Sequence, residues 1–277
     1  IMFSKIYTLA LLLVFFISSH AQQSIPYSIN KNFVGQHGAV VSAHPLASKA
    51  GLAILQQGGN AIDAAIATQL ALAVVYPGAG NLGGGGFMIA CLNDGKILAL
   101  DFRETAPAGS YKDMYLDKAG NPVTQLSLYG PLASGIPGTV AGLFTSMKYA
   151  KLSFKTLIAP AIELAEKGFS ITASQAHSFN ENKSLFEKLN KNKVAFVNDI
   201  LWKEGDLLIQ PALAQTLKRI RSKGAKGFYQ GLTAKLIVKE MKKANGIISL
   251  QDLKNYKVKE RTAIRYNYKD YEIVGMP

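Results

Sequence analysis

The chain has 277 residues, 48% of them hydrophobic, enough to bury a core and too many for a disordered chain. Its 31 Lys and Arg against 18 Asp and Glu give a formal charge of +13, and the excess is uneven. Residues 22–130 carry six groups of each sign, whereas residues 131–277 carry 24 basic and 12 acidic groups. The lysines of that basic half are scattered along helical patterns, as in Lys235 to Lys243, without a dense run or interleaved aromatics. This is the pattern of a solvated surface, and it argues against a nucleic-acid partner.

Met2 to Lys5 makes a short positive start, Ile6 to Ser18 is an apolar run of 13 residues, and Ser19-His20-Ala21 has small residues at the positions that a signal peptidase reads. A membrane-spanning helix needs about 20 apolar residues. Residues 1–21 are therefore expected to be a signal peptide cleaved after Ala21, giving an exported product, periplasmic or secreted, with no membrane partner after cleavage. Residues 22–34 are polar and irregular and read as a flexible leader, with the folded part beginning at residue 35.

Gly38 to Ala43 is short, apolar and β-branched at Val40 and Val41, which predicts a buried strand. His44-Pro45 breaks it. A helix is expected from Leu46 to Gln57, stopped by Gly58-Gly59, and a second from Ala61 to Val75, with Asn60 as its cap and Pro77 beyond its end. Six alanines in the second helix suit close packing. Asp63 is its lone charge, placed in the first turn where it complements the helix dipole.

Gly78-Ala79-Gly80-Asn81-Leu82-Gly83 spells a dinucleotide fingerprint, but with a helix before it and a strand after it, the reverse of the required order. A tight turn between closely approaching backbones is the better reading. Phe87 to Leu92 and Lys96 to Arg103, joined by Asn93-Asp94-Gly95, predict a β-hairpin. The single cysteine, Cys91, lies in its first strand and reads as a small core residue. Glu104 to Gly130 is loop-rich, Ala133 to Thr139 is punctuated by glycine, and helical patterns run from Val140 to Leu253. Tyr266 to Val274 returns to strand.

Neither the four histidines nor the lone cysteine has metal-ligand spacing, so no metal is expected. No nucleophile has a recognisable activator, and no residue is assigned a catalytic role. Arg103 is the informative side chain. Strand alternation puts it on one face with Asp101, and Leu100 and Phe102 on the other. Two roles are open to it: an ion pair with Asp101 or Glu104, or a planar fork for a ligand carboxylate.

Five segments together resemble the γ-glutamyltransferase (glutathione hydrolase) family. They are Asn60 to Ala65, Gly80 to Met88, Asp101 to Pro107, Ala133 to Gly142, and Gly227 to Gly231 followed by Asp252-Leu253. The resemblance runs over residues 35–277. It implies an α+β fold, the N-terminal-nucleophile hydrolase four-layer αββα sandwich, of which this chain supplies the N-terminal part.

The resemblance further implies a self-cleaving proenzyme whose small subunit begins with a threonine nucleophile. That threonine attacks the γ-glutamyl amide of glutathione and passes the acyl group to water or to an amino acid, without a cofactor. The position matching Arg103 grips the α-carboxylate of the γ-glutamyl group, which favours the second of its two roles. The expected partners are glutathione or another γ-glutamyl substrate and the C-terminal small subunit. On the family pattern the nucleophile lies beyond Pro277, so this chain is expected to be inactive alone. A glutaryl-type amide acylase and a non-catalytic binding or scaffold protein are the alternatives.

Overall fold

The computed structural model describes residues 34–190 and 192–277. The expected signal peptide, residues 1–21, lies outside the described residues, as does the expected leader apart from Val34. Gly38–Pro277 form one compact unit.

Gly38 to Ala43 is not a strand, and Val41 is 91% exposed. A strand needs an edge to pair with, and here local hydrogen bonds take over. The Ser42 hydroxyl donates to the His44 carbonyl at 2.9 Å, lies 2.8 Å from the Ser48 hydroxyl, and accepts from the His44 N–H at 3.4 Å. These bonds steer the backbone directly into helix α1 (Pro45–Gln56). Pro45 takes the first helical position, where its fixed φ is suitable and its missing N–H costs nothing. His44 is the cap, its Nδ1 accepting from the Leu46 N–H at 3.2 Å.

Helix α2 (Ala61–Val75) has the expected bounds because Asn60 and Asp63 form a reciprocal capping box. Asn60 Oδ1 accepts from the Asp63 N–H at 3.0 Å, and Asp63 Oδ2 accepts from the Asn60 N–H at 2.8 Å. Asp63 is fully buried, so its role goes beyond favouring the dipole. It also accepts from the N–H groups of Lys151 and Leu152, each at 3.0 Å, tying the start of α2 to a distant loop.

The hairpin follows as β1 (Phe87–Cys91) and β2 (Ile97–Asp101), antiparallel with Phe87 opposite Asp101 and Cys91 opposite Ile97. Burial alternates along β1, with Phe87, Ile89 and Cys91 on the exposed face. Cys91 is thus an exposed free thiol and not a core residue, because the two-residue period places Met88 and Ala90 inward instead.

Next come α3 (Thr124–Leu128), α4 (Thr139–Ser146) and α5 (Phe154–Lys167). Two-residue strands β3 (Phe169–Ser170) and β4 (Leu207–Leu208) pair across α6 (Ala173–Glu181) and α7 (Lys183–Leu189). The chain continues through α8 (Pro211–Lys223), α9 (Lys226–Tyr229), α10 (Gly231–Lys243) and α11 (Leu250–Asn255). It ends in β5 (Lys259–Glu260), β6 (Ile264–Tyr268) and β7 (Tyr271–Gly275).

Small residues let α2 pack closely on α1 and α5, and α5 packs on α8. Ile54, Ile66, Leu70, Leu157, Leu217 and Ile220 are buried where these helices meet. Two features at the end of the chain matter for the site or for its reading. Strand β5 pairs antiparallel with β2, so the sheet order is β1-β2-β5. The strand character expected over Tyr266 to Val274 is present as the β6–β7 hairpin, whose turn places Lys269 at φ 53 without a glycine or asparagine to signal it.

Candidate functional site

Strand β2 ends at Asp101, and the next four residues form a strap across the ends of several elements. Leu98, Leu100 and Phe102 make a small apolar cluster on its buried face, and Phe102 is 1% exposed. Phe102 is also locked through its backbone, exchanging hydrogen bonds with Gly86 at 3.0 and 3.3 Å. Close approach explains the glycines opposite. A Cβ at Gly142 would overlap the Phe102 ring, and one at Gly138 would overlap the Phe102 carbonyl. The glycine-punctuated segment before α4 is therefore a cradle for the strap.

The glycine turn holds that cradle in place. Gly84 carbonyl accepts from the Gly138 and Thr139 N–H groups at 2.8 and 3.0 Å, and the Thr139 hydroxyl donates to Asn81 Oδ1 at 2.6 Å. The same Asn81 oxygen accepts from the Gly84 N–H at 3.0 Å. The turn that mimics a nucleotide fingerprint thus has a structural role. Beyond the strap, Thr105 pairs with Ile136 across an isolated bridge.

Arg103 sits on this frame with its backbone fixed at both ends. Its N–H donates to Asp101 Oδ1 at 3.0 Å, and its carbonyl accepts from the Tyr256 hydroxyl at 2.8 Å. Burial, with the nearby charges of Asp101 and Glu104, pushes the Tyr256 phenol up to about 12, so it remains a hydrogen-bond donor across the neutral range. The Arg103 side chain is exposed, and among the described residues it has no salt-bridge partner.

The carboxylate nearest in sequence on the same face, Asp101, pairs instead with Arg261. Asp101 Oδ2 accepts from Arg261 Nε at 3.0 Å and from Nη2 at 2.8 Å. Partial burial works to raise the Asp101 carboxyl. The hydrogen bonds from the Arg103 N–H and Arg261, with the charges of Arg261 and Lys259, outweigh it and hold the group below its ordinary value. A fixed backbone, an exposed guanidinium and a neutralised neighbour together offer a carboxylate two parallel charge-assisted hydrogen bonds.

Residues 47–277 match the family described as gamma-glutamyltranspeptidase. The chain belongs to this family. A glutathione hydrolase proenzyme of Pseudomonas sp. (strain A14) is 45% identical over 245 residues, covering 87% of this chain and 43% of that protein. The solved Helicobacter pylori gamma-glutamyltranspeptidase superposes with a TM-score of 0.84 at 47% identity, covering 89% of this chain and 71% of that one. The Pseudomonas nitroreducens gamma-glutamyltranspeptidase complexed with L-DON gives a TM-score of 0.81 at 40% identity, covering 88% of this chain and 72% of that one. The mixed helix and sheet architecture is the one that these family structures share. The chain spans less than half the length of the curated relatives it matches.

The expected site residue, Arg103, stands apart from a cleft elsewhere among the described residues. That cleft, about 580 Å³, lies between the start of α2 and β1 and is lined by Asn60, Ala61, Met88, Cys91 and Lys151 among others. Two residues that fix the surroundings of Arg103 escaped the sequence reading. Arg261 lies 160 positions from Asp101, and Tyr256 lies 153 positions from Arg103. The one local hint was the basic run after α11, whose register against β2 no spacing rule reveals.

Proposed function

We propose that this chain supplies the α-carboxylate clamp of an enzyme that transfers γ-glutamyl groups from glutathione and γ-glutamyl amides to water or to amino-acid acceptors. The observation that carries this is Arg103, with its backbone fastened on both sides and its guanidinium exposed and unpaired among the described residues. Family membership gives the reaction class. The donor's α-carboxylate meets the guanidinium fork, which orients the γ-carbonyl for attack. The nucleophile in this reading is the N-terminal threonine of a small subunit released by self-cleavage, and the enzyme is exported. Without that small subunit these residues are inactive, so γ-glutamyl anilide hydrolysis by them alone counts against this part of the proposal.

The test uses the full proenzyme after maturation. A charge-assisted hydrogen bond is worth about 1.5–3 kcal/mol, so Arg103→Ala lowers kcat/KM for a γ-glutamyl anilide roughly 10- to 150-fold. The 4-aminobutyryl anilide is the same donor without its α-carboxylate. Wild type and Arg103→Ala handle it equally. Equal losses on both donors, or no loss on either, would overturn the assignment.

A further inference from the structure

Asp101 poses a problem for a carboxylate clamp at Arg103. It lies two residues before Arg103 on the same face, about 7 Å along an extended strand. Left alone, that carboxylate could fold onto the Arg103 guanidinium, or repel a ligand carboxylate arriving there. In the structure it does not fold onto that guanidinium, and both of its oxygens are engaged. Oδ1 accepts from the Arg103 backbone N–H at 3.0 Å, and Oδ2 accepts from two nitrogens of Arg261 at 3.0 and 2.8 Å.

We propose that Arg261 is a positioning residue for the clamp: by holding and neutralising Asp101 it keeps the Arg103 guanidinium free for the donor's α-carboxylate. This rests on the reading of Arg103 given above.

Three observations support it. Arg261 is itself placed by the sheet, since its N–H donates to the Ala99 carbonyl at 2.9 Å directly after β5. Its guanidinium therefore reaches Asp101 from a fixed backbone and not from a mobile tail. The pair is asymmetric, with Asp101 at 15% and Arg261 at 43% side-chain exposure, so the anion is the better shielded partner. The third is the geometry around the pair. Lys259 stands opposite Asp101 and Glu260 opposite Leu100 in the β2–β5 register, so Arg261 is the residue that meets the carboxylate with a fork.

The full mature enzyme tests this with three variants and two donors. Arg261→Gln leaves Asp101 charged, with its Oδ2 released. An unneutralised charge beside the clamp raises KM for the γ-glutamyl anilide roughly 3- to 30-fold, with kcat changed less than twofold and the 4-aminobutyryl donor unaffected. In the double variant Arg261→Gln/Asp101→Asn the competing anion is gone, and KM returns to within about threefold of wild type. A merely structural ion pair would show no such rescue. An unchanged KM in Arg261→Gln, equal losses on both donors, or a double variant no better than the single one overturns the proposal. If Arg261→Gln does not fold, Arg261→Met carries the test. It keeps the length of the side chain but neither the charge nor the fork, so it raises KM selectively for the carboxylate donor, and an unchanged KM again refutes the idea. If Arg103→Ala fails to discriminate between the donors, the clamp reading itself is wrong. If Arg103→Ala discriminates and the Arg261 variants do not, only the role of Arg261 is wrong.

Discussion

The start of α2 and the end of β2 each place one charged side chain at the end of a regular element, and they treat it in opposite ways. At α2, the Asp63 carboxylate is fully buried and receives backbone N–H groups from Asn60, Lys151 and Leu152. At β2, the hydrogen bonds fall on the Arg103 backbone, and the charged group is left exposed. A charge whose hydrogen-bonding capacity is met internally holds the fold, whereas a charge held by its backbone alone is available to a ligand. Both residues belong to segments that resemble the family, so motif membership by itself does not separate the two roles. Hydrogen-bond accounting does.

Substitution should separate these two residues sharply. Asp63→Ala takes the buried acceptor from the part-buried Lys151 and Leu152 N–H groups and removes half of the capping box, a destabilisation of about 3–4 kcal/mol. Asp63→Asn keeps an acceptor oxygen and should lose roughly half as much. Arg103→Ala should change stability by less than about 0.5 kcal/mol, as an exposed side chain without internal partners does. Urea unfolding at constant m-value measures all three. A large stability loss in Arg103→Ala would collapse the distinction between the two ends.

The next effect sits between those extremes, because it acts on the frame that positions Arg103. Gly142→Ala places a methyl group against the buried Phe102 ring. Overpacking of this kind costs about 1–3 kcal/mol and shifts the backbone around it. The strap should move with Phe102, so this variant is expected to lose both stability and selectivity for donors carrying an α-carboxylate. Comparing urea midpoints with the ratio of kcat/KM for the two anilides checks it. Lost stability with unchanged donor selectivity would mean that the cradle is not coupled to the clamp.

The parts of this molecule that were legible in sequence are those set by short-range chemistry. Asn60 and Asp63 fix the start of α2, Pro45 fixes α1, and Asn93-Asp94-Gly95 fixes the hairpin, each through neighbours a few residues away. The misreadings depended on what lies opposite. Gly38 to Ala43 has strand composition but pairs with no strand among the described residues, and Cys91 falls on the face of β1 that the described residues leave uncovered. The site divides in the same way. Strand alternation and the resemblance singled out Arg103, while Arg261 reaches Asp101 and Tyr256 reaches Arg103 across more than 150 positions through the register of β5 and the position of α11.

His44 offers a finer version of the same contrast, since it is a capping side chain whose hydrogen bonds are only partly met. Its Nδ1 accepts from the Leu46 N–H, which places the ring proton on Nε2, and that nitrogen is buried without a partner among the described residues. The ring meets Phe169 edge-on with centroids 5.8 Å apart. Burial lowers the His44 pKa from its ordinary 6.5, so the folded state favours the neutral ring. As pH falls below about 6.5, the unfolded chain takes up its proton before the folded one does. Stability conferred by the neutral ring is therefore complete above that pH and is lost as pH falls toward the folded value. Protonation also removes the Nδ1 lone pair that caps α1. His44→Asn keeps a capping oxygen but does not titrate. It is expected to lose some packing stability at every pH and to show a flatter decline between pH 7 and 5. The other histidines are common to both proteins, so the difference between the two stability profiles isolates His44. Parallel profiles across that range would show that the α1 cap does not respond to protonation.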